Sequence, residues 1–484
     1  MRTRHRRQVV LGVDSSTQST KVLAVDLDSG EIVATGRASH TGADTQDPRD
    51  WWSALRAATA VAVTDDLDVV GISVGGQQHG LVTLDGDGEP VRPAPLWNNV
   101  DSAADAERLN GLADFAAEVG SRLVASLTIT KLAHLARTSP DDLTRTSAVC
   151  LPHDYLNLRL TGRMTTDRSD ASGSGWWSPL TSELRRDLIA LAVGSDHAAR
   201  LAFPDVLGHA DTAGEVSRDA ADHLGIPAGI PVGAGAGDNA AAALAIGADL
   251  DELCVSLGTS GVAYGVTEHP ASDPSGEVAG FADATGRFLP LTCMLNCTRV
   301  LDAMADLLGI DRLAALDRAG AVEPGAGGLL LVPYLAGERT PNLPHATGSV
   351  LGMTPGTMRP ELLLRAAVDG VAAGIGYCVE ALATFGVHRD RVTLVGGGAQ
   401  HATWRQAIAD ATGLPVQVRS GGEHAALGPA FQIAAIVRDE PLAALAARWR
   451  PPVVFDASPR PDHRPGFHLD RRRALIAAAK AELI

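Results

Sequence analysis

Residues 8–13 form an apolar run, with Val9, Val10, Leu11 and Val13 broken only by Gly12, and predict a strand buried on both faces. Residues 15–20 are small and polar and read as a turn; residues 21–26 alternate again as a second strand. Asp28-Ser29-Gly30 is hairpin-turn chemistry, and residues 31–36 continue as a third strand. Helical spacing of apolar positions over 51–63 predicts a helix, with Asp50 placed to cap it. The β-branched run 69–74 predicts another buried strand, which ends in Gly75-Gly76-Gln77-Gln78-His79-Gly80. Helical and strand patterns alternate to about residue 245, which is the pattern of an α/β fold rather than of short repeats.

The second half echoes the first. Residues 253–257 read as a strand, Gly258-Thr259-Ser260-Gly261 as a small hydroxyl turn, and the residues after it as a returning strand. Later, residues 391–395 predict a strand, Gly396-Gly397-Gly398 a close-approach turn, and residues 404–412 a helix. A chain of 484 residues is too long for one ordinary core. The expected division is 1–247, 248–450 and a Pro- and Arg-rich tail, 451–484, ending in a helix over 471–483.

Composition narrows the partners. The formal net charge is −16, and the densest basic cluster is Arg2, Arg4, His5, Arg6 and Arg7. With no broad basic field, neither nucleic acid nor an anionic membrane is expected as a partner. The run 9–13 is too short for a signal segment, and no apolar stretch is expected to reach the roughly 20 residues that span a bilayer. Cys150, Cys254, Cys293, Cys297 and Cys378 are an odd, scattered set, which points to reduced thiols in the cytoplasm. Cys293 and Cys297 lie four apart, but no second pair follows at zinc spacing.

Three turns carry the chemistry. In Asp14-Ser15-Ser16-Thr17-Gln18-Ser19-Thr20-Lys21, small residues admit phosphate oxygens to backbone N–H groups, and hydroxyls and a lysine add donors. An Asp at a strand end suits a hydrated Mg²⁺, which keeps its waters and uses few carboxylates. Alone, this segment reads more readily as an ordinary polar hairpin; with the like turn at 258–261 it reads as one of two phosphate-binding hairpins. The third turn, Val232-Gly-Ala-Gly-Ala-Gly-Asp238, leaves an apolar strand and delivers one carboxylate to the start of an alanine-rich helix. That suits a general base, or else a helix cap. The chain has no Walker pattern, no protein-kinase catalytic loop and no G-x-G-x-x-G fingerprint, so a nucleotide site requires another scaffold.

These motifs, taken in order, resemble the FGGY family of carbohydrate kinases. The resemblance runs through 14–21, Gly76-Gln77-Gln78-His79-Gly80, Pro95-Leu96-Trp97-Asn98, Leu151-Pro152-His153-Asp154, 235–240 and 256–261. It continues in 333–341, 396–400 and 423–428. It implies an actin/hexokinase-like fold: two lobes around an active-site cleft, with the sugar against the first lobe and ATP against the second. It implies ATP-dependent phosphorylation of a sugar hydroxyl, best matched by the branch acting on D-xylulose, with another ketose, deoxy-ketose or polyol as the alternative. By the same resemblance Asp238 is the base, and Asp14 and Asp238 hold Mg²⁺ through water. Gln78, His79, Asn239 and Trp97 meet the sugar, with His79 donating to a hydroxyl. Thr17, Lys21, Thr259, Asn296, Gly397, Gly398 and Ala402 meet the nucleotide. Glu338, Arg339 and Thr340 brace the cleft, and a homodimer is the family-level expectation. The departures are Ser16 for glycine, Gln78 for methionine, and Asn99 and Asp101 where relatives carry Asp and Arg. The last inverts the local charge logic and bears on the sugar. A sugar-responsive protein without turnover and an actin-like assembly ATPase are the competing classes.

Overall fold

The computed structural model describes residues 6–250 and 252–461. The tail helix expected over 471–483 lies outside them. The first lobe is built on strands β1 (Arg7–Ser15), β2 (Ser19–Asp26), β3 (Ile32–Ser39), β4 (Leu67–Gly76), β5 (Thr212–Glu215), β6 (Pro231–Gly233) and β7 (Ala236–Gly237). Their order is β5-β6-β4-β1-β2-β3, with β7 also on β4. β1 and β2 pair antiparallel across the 16–18 turn, and β1 and β4 pair parallel. The second lobe repeats the theme with β8 (Glu252–Leu257), β9 (Gly261–Gly265), β10 (Ala279–Ala282), β11 (Phe288–Met294), β12 (Arg391–Val395), β13 (Val416–Arg419) and β14 (Val453–Ala457). Here the order is β10-β11-β9-β8-β12-β13-β14. β8 and β9 form the antiparallel hairpin, and β8 and β12 the parallel pair. The echo in the sequence is therefore a structural repeat.

Eight helices position the site: α1 (Pro48–Ala62), α2 (Thr128–Thr138), α3 (Pro152–Thr161), α4 (Arg168–Ser172), α5 (Asp238–Ile246), α6 (Pro360–Ala383), α7 (Ala402–Thr412) and α8 (His424–Arg438). α1 starts earlier than the apolar pattern suggests. Pro48 takes the first helical position, where its missing N–H costs nothing, and Asp47 rather than Asp50 caps Arg49 N. α6 has 24 residues and is long and apolar enough by length and composition to cross a membrane, contrary to the expectation that no stretch reaches that length. It is instead the central helix of the second lobe's core, where Leu364, Val368, Val371 and Ile375 are buried.

The chain does not keep its halves separate. α8 follows the last parallel strand of the second lobe yet packs beneath the first sheet. The approach is close: a Cβ on Gly12 would lie 2.1 Å from the Ala426 carbonyl oxygen. Ala426, Ala430 and Ile433 share one core cluster with Val10, Leu23 and the α5 alanines. α5 and α8 thus lie together between the lobes, and α5 begins with Asp238. All five cysteines are buried.

Candidate active site

The carboxyl ends of parallel strands in an open α/β sheet are where ligands collect. In the first sheet the register sets Asp14 against Gly75, Ser15 against Gly76, and Gly237 against Gly76. Asp14 and Asp238 therefore leave the same edge. Gly237 occupies the cap position of α5, with no side-chain cap there, so Asp238 is the first helical residue and not the cap. Its Oδ1 accepts from Asn239 N at 2.7 Å and Asn239 Nδ2 at 2.8 Å. Burial pushes the Asp238 carboxyl up to about 6, with the Asn239 hydrogen bond opposing. Its side chain still reaches solvent. Burial pushes Asp14 up to about 7; Lys21 opposes this, and Asp238 and Glu423 add to it. Asp14 Oδ1 is buried and has no hydrogen-bond partner among the described residues.

Beside the carboxylates stands a wall of interlocked side chains. Asn239 Nδ2 lies 3.5 Å from Gln78 Oε1, and Gln78 Nε2 donates to the Ser169 carbonyl at 3.3 Å. His79 is held in the left-handed backbone region at φ 68°, an uncommon state for a residue with a side chain. Its Nδ1 donates to the Gly173 carbonyl at 2.9 Å. Burial, with Lys131 and Arg339 nearby, lowers its pKa to about 3, so the ring is neutral. A neutral ring that spends its proton on Gly173 leaves Nε2 as an acceptor. His79 is thus placed to receive a hydrogen bond from a hydroxyl rather than to give one, which revises the expected direction. Phe281 of β10 brings the second lobe against it, with ring centroids 5.4 Å apart.

Trp97 joins the two halves of the site. Its Nε1 donates to Thr17 Oγ1 at 2.9 Å, and Thr17 Oγ1 donates to Gln77 Oε1 at 3.2 Å. The indole therefore braces the first hairpin while its ring stays partly exposed. The Lys21 ammonium lies 3.8 Å from Asp14 Oδ2 and bonds Glu423, the residue before α8. In the second lobe, Thr259 is exposed on its hairpin, and its carbonyl accepts from Cys297 N at 3.2 Å. Gly397 is exposed, and a Cβ there would meet no atom within 4 Å. Among the described residues nothing requires glycine at 397; a ligand lying against that turn would. Gly398 packs on Leu257, and Ala402 is exposed at the start of α7. Asn296 departs from expectation. It is fully buried, and its amide donates to the Gly337 carbonyl at 2.7 Å and Glu338 Oε2 at 3.0 Å. With no exposed surface it braces the loop behind the hairpin instead of facing a nucleotide. Glu338 accepts from Leu295 N at 2.6 Å, and Arg339 Nη1 reaches Ser126 Oγ at 3.2 Å, which fits bracing for that run.

The altered segment after Trp97 satisfies itself. Asn99 is buried and donates to Asp44 Oδ2 at 3.3 Å and Asp101 Oδ2 at 3.2 Å; its own Oδ1 accepts Asp101 N at 3.2 Å. An acid-then-base pair has become an amide-then-acid pair, with donor and acceptor exchanged. Asn99 and Asp101 line a side cavity of about 80 Å³ with Arg92, Lys131 and His134; Gln78 and His79 do not line it.

Sequence reasoning missed the platform under the wall. Asp167 caps α4 and accepts from Ser169 N, Ser169 Oγ and Asp170 N. Ser169 in turn holds Gly237 N through Oγ, at 3.0 Å, and Gln78 through its carbonyl. The signal was present as an Asp followed by small hydroxyl residues, an N-cap signature.

Two lobes of one strand pattern, joined through α5 and α8, with small-residue hairpins at the sheet edges and carboxylates beside one of them, define an actin/hexokinase-like phosphoryl-transfer fold. The FGGY family of carbohydrate kinases, N-terminal domain, matches residues 9–245, and its C-terminal domain matches residues 253–436. The chain belongs to that family. It is 46% identical over 454 residues to a xylulose kinase of Streptomyces rubiginosus, covering 91% of this chain and 90% of that protein. It is 33% identical over 441 residues to a xylulose kinase of Escherichia coli K12, covering 88% of this chain and 89% of that protein. The solved structure of xylulose kinase from Bifidobacterium adolescentis superposes with a TM-score of 0.86 at 36% identity, covering 96% of this chain and 99% of that one.

Proposed function

We propose that this chain transfers the γ-phosphoryl group of ATP to a hydroxyl of D-xylulose, giving D-xylulose 5-phosphate in the cytoplasm, with Asp238 as general base. The observation that carries the proposal is the placement of Asp238. A carboxylate pushed up to about 6 by burial stands beside Asn239 and Gln78 and at the same strand edge as the first phosphate hairpin. A base serves best when its pKa approaches the working pH. The sugar hydroxyl gives its proton to Asp238 as its oxygen attacks the γ-phosphorus, and the bond from that phosphorus to the β,γ-bridging oxygen breaks to release ADP. His79 Nε2 accepts from a second hydroxyl, while Gln78 and Asn239 supply amide contacts that fix the sugar in line. Thr17, Lys21 and Thr259 contact the phosphates, and Gly397 and Ala402 give the adenosine a flat surface, with Gly398 buried behind them against Leu257. The orphaned Asp14 Oδ1 fits a hydrated Mg²⁺, which Asp14 and Asp238 would hold through water. When bound, that ion offsets phosphate charge. Support for the sugar comes from the relatives of up to 46% identity that are xylulose kinases.

Asp238→Asn tests the base. It should lower kcat by at least about a hundredfold, the scale of general-base loss, while ATP still binds. Near-normal turnover would remove Asp238 from that role.

A further inference from the structure

The glycine turn that delivers Asp238 is gripped from two sides. From α8, Gln432 Oε1 accepts Gly235 N at 2.8 Å and Gln432 Nε2 donates to the Gly235 carbonyl at 3.1 Å. From α3, His153 reaches the preceding carbonyl. Its Nε2 lies 2.9 Å from Ala234 O, and Asn157 Nδ2 donates to the same oxygen at 3.1 Å. The other ring nitrogen, Nδ1, lies 3.0 Å from Asp154 Oδ1 and 3.5 Å from Asp170 Oδ2. Nδ1 thus faces carboxylate oxygens and Nε2 faces the Ala234 carbonyl, with Asn157 Nδ2 also 3.0 Å from Nε2. Because that amide donates to Ala234 O, an N–H at each ring nitrogen, hence an imidazolium, serves the carbonyl and the carboxylates together. Every member of this cluster is fully buried.

The surrounding charges agree. Asp154, Asp170 and Asp167 face the ring from α3 and α4, and Cys150 lies nearby at the end of the preceding segment. Asp154 is further tied to Leu151 N at 2.8 Å, and Asp167 caps α4. The Asp170 carboxylate has no hydrogen bond among the described residues and lies within reach of the ring alone. Burial opposes charge on His153, but the two carboxylates win and hold its pKa well above the ordinary imidazole range. Buried carboxylates beside the ring favour its charged form; burial pushes the Asp170 carboxyl up, and the ring beside it opposes that rise. The fit to the turn is also close. A Cβ on Gly235, which has φ 88°, would lie 2.1 Å from His153 Nε2.

We propose that His153 is a positioning residue: as a buried imidazolium clamped by Asp154 and Asp170, it holds the Ala234 carbonyl and so fixes the turn that aims Asp238 at the attacking hydroxyl. α4 closes the same device, because Asp170 holds the ring while Ser169 holds Gly237 N. One short segment therefore sets both the base and, through Ser169 and Gly173, the sugar contacts Gln78 and His79. The proposal rests on Asp238 being the base.

The test is steady-state kinetics of the full-length protein with sugar and ATP varied in turn, and folding followed by circular dichroism. His153→Gln should lower kcat by about tenfold to a hundredfold, as expected for a base displaced by about an ångström, and leave the ATP KM unchanged. His153→Lys keeps a cation with several N–H donors and should restore most of the rate. If His153→Gln does not fold, Asn157→Ala removes the other donor to Ala234 O and should lower kcat in the same way by less. A kcat that falls only in step with the folded fraction, or that His153→Lys does not restore, would overturn the positioning role. Near-normal turnover in Asp238→Asn would overturn the base assignment instead, whichever way His153→Gln behaves.

Discussion

The proposed sugar side and the proposed nucleotide side of this site are built by opposite means. On the first lobe, Gln78 and His79 are buried to within 6% and 8% exposure and tied to Ser169 and Gly173. On the second lobe, Thr259, Gly397 and Ala402 are exposed, and nothing stands within 4 Å of a Cβ built on Gly397. One face is assembled in advance, with donors and acceptors already assigned; the other is left bare so that backbone and small residues can meet a flat ligand. Preorganised polar groups reject a sugar that cannot match them, whereas an adenosine is held by shape and phosphate contacts. The difference also says where each face fails. The sugar side fails by losing a hydrogen bond, the nucleotide side by gaining bulk.

The comparison breaks most visibly at Gly397. Gly397→Val should raise the ATP KM by about tenfold or more, on the scale of about 1–3 kcal/mol for overfilling a contact, with thermal stability and sugar KM unchanged. Steady-state kinetics with each substrate varied in turn will check it, and an equal rise for both substrates would erase the asymmetry. His79→Ala comes next. Loss of one acceptor, worth about 0.5–1.5 kcal/mol, should raise the sugar KM by about two- to tenfold while the ATP KM holds. The smallest effect is expected at Asn99. Asn99→Asp puts a third carboxylate beside Asp44 and Asp101 and removes the donor to both, so melting temperature should fall while sugar kcat/KM stays within about threefold, as for a pair at a partly exposed edge. Adding Asp101→Arg should return the melting temperature. A large loss of sugar affinity in Asn99→Asp would move that segment into the sugar site.

Much of this was legible in the chain because it is local. The strand–turn–strand units at 7–26 and 252–265 and the glycine turn before Asp238 are written in alternation and small residues over short windows. The start of α1 was misplaced by three residues because Pro48 at the first helical position outweighs the apolar periodicity. What local pattern cannot carry is where distant pieces meet. Nothing near residue 424 announces that α8 crosses beneath the first sheet, or that Gln432 reaches back to Gly235. The direction of the His79 hydrogen bond depends on Gly173, 94 positions away. Asn296 looked like a ligand contact by position, but its burial behind Glu338 is a property of the fold.

The central claim is that a prearranged wall on the first lobe selects D-xylulose for phosphoryl transfer from ATP. ADP release by the wild-type protein over a panel of ketoses and polyols measures that directly, with the product's phosphorylated position identified. The account predicts stimulation by D-xylulose above every other sugar, with phosphate on the 5-hydroxyl. Release that no sugar stimulates over ATP alone would contradict it and leave a sugar- or nucleotide-binding protein on a kinase fold.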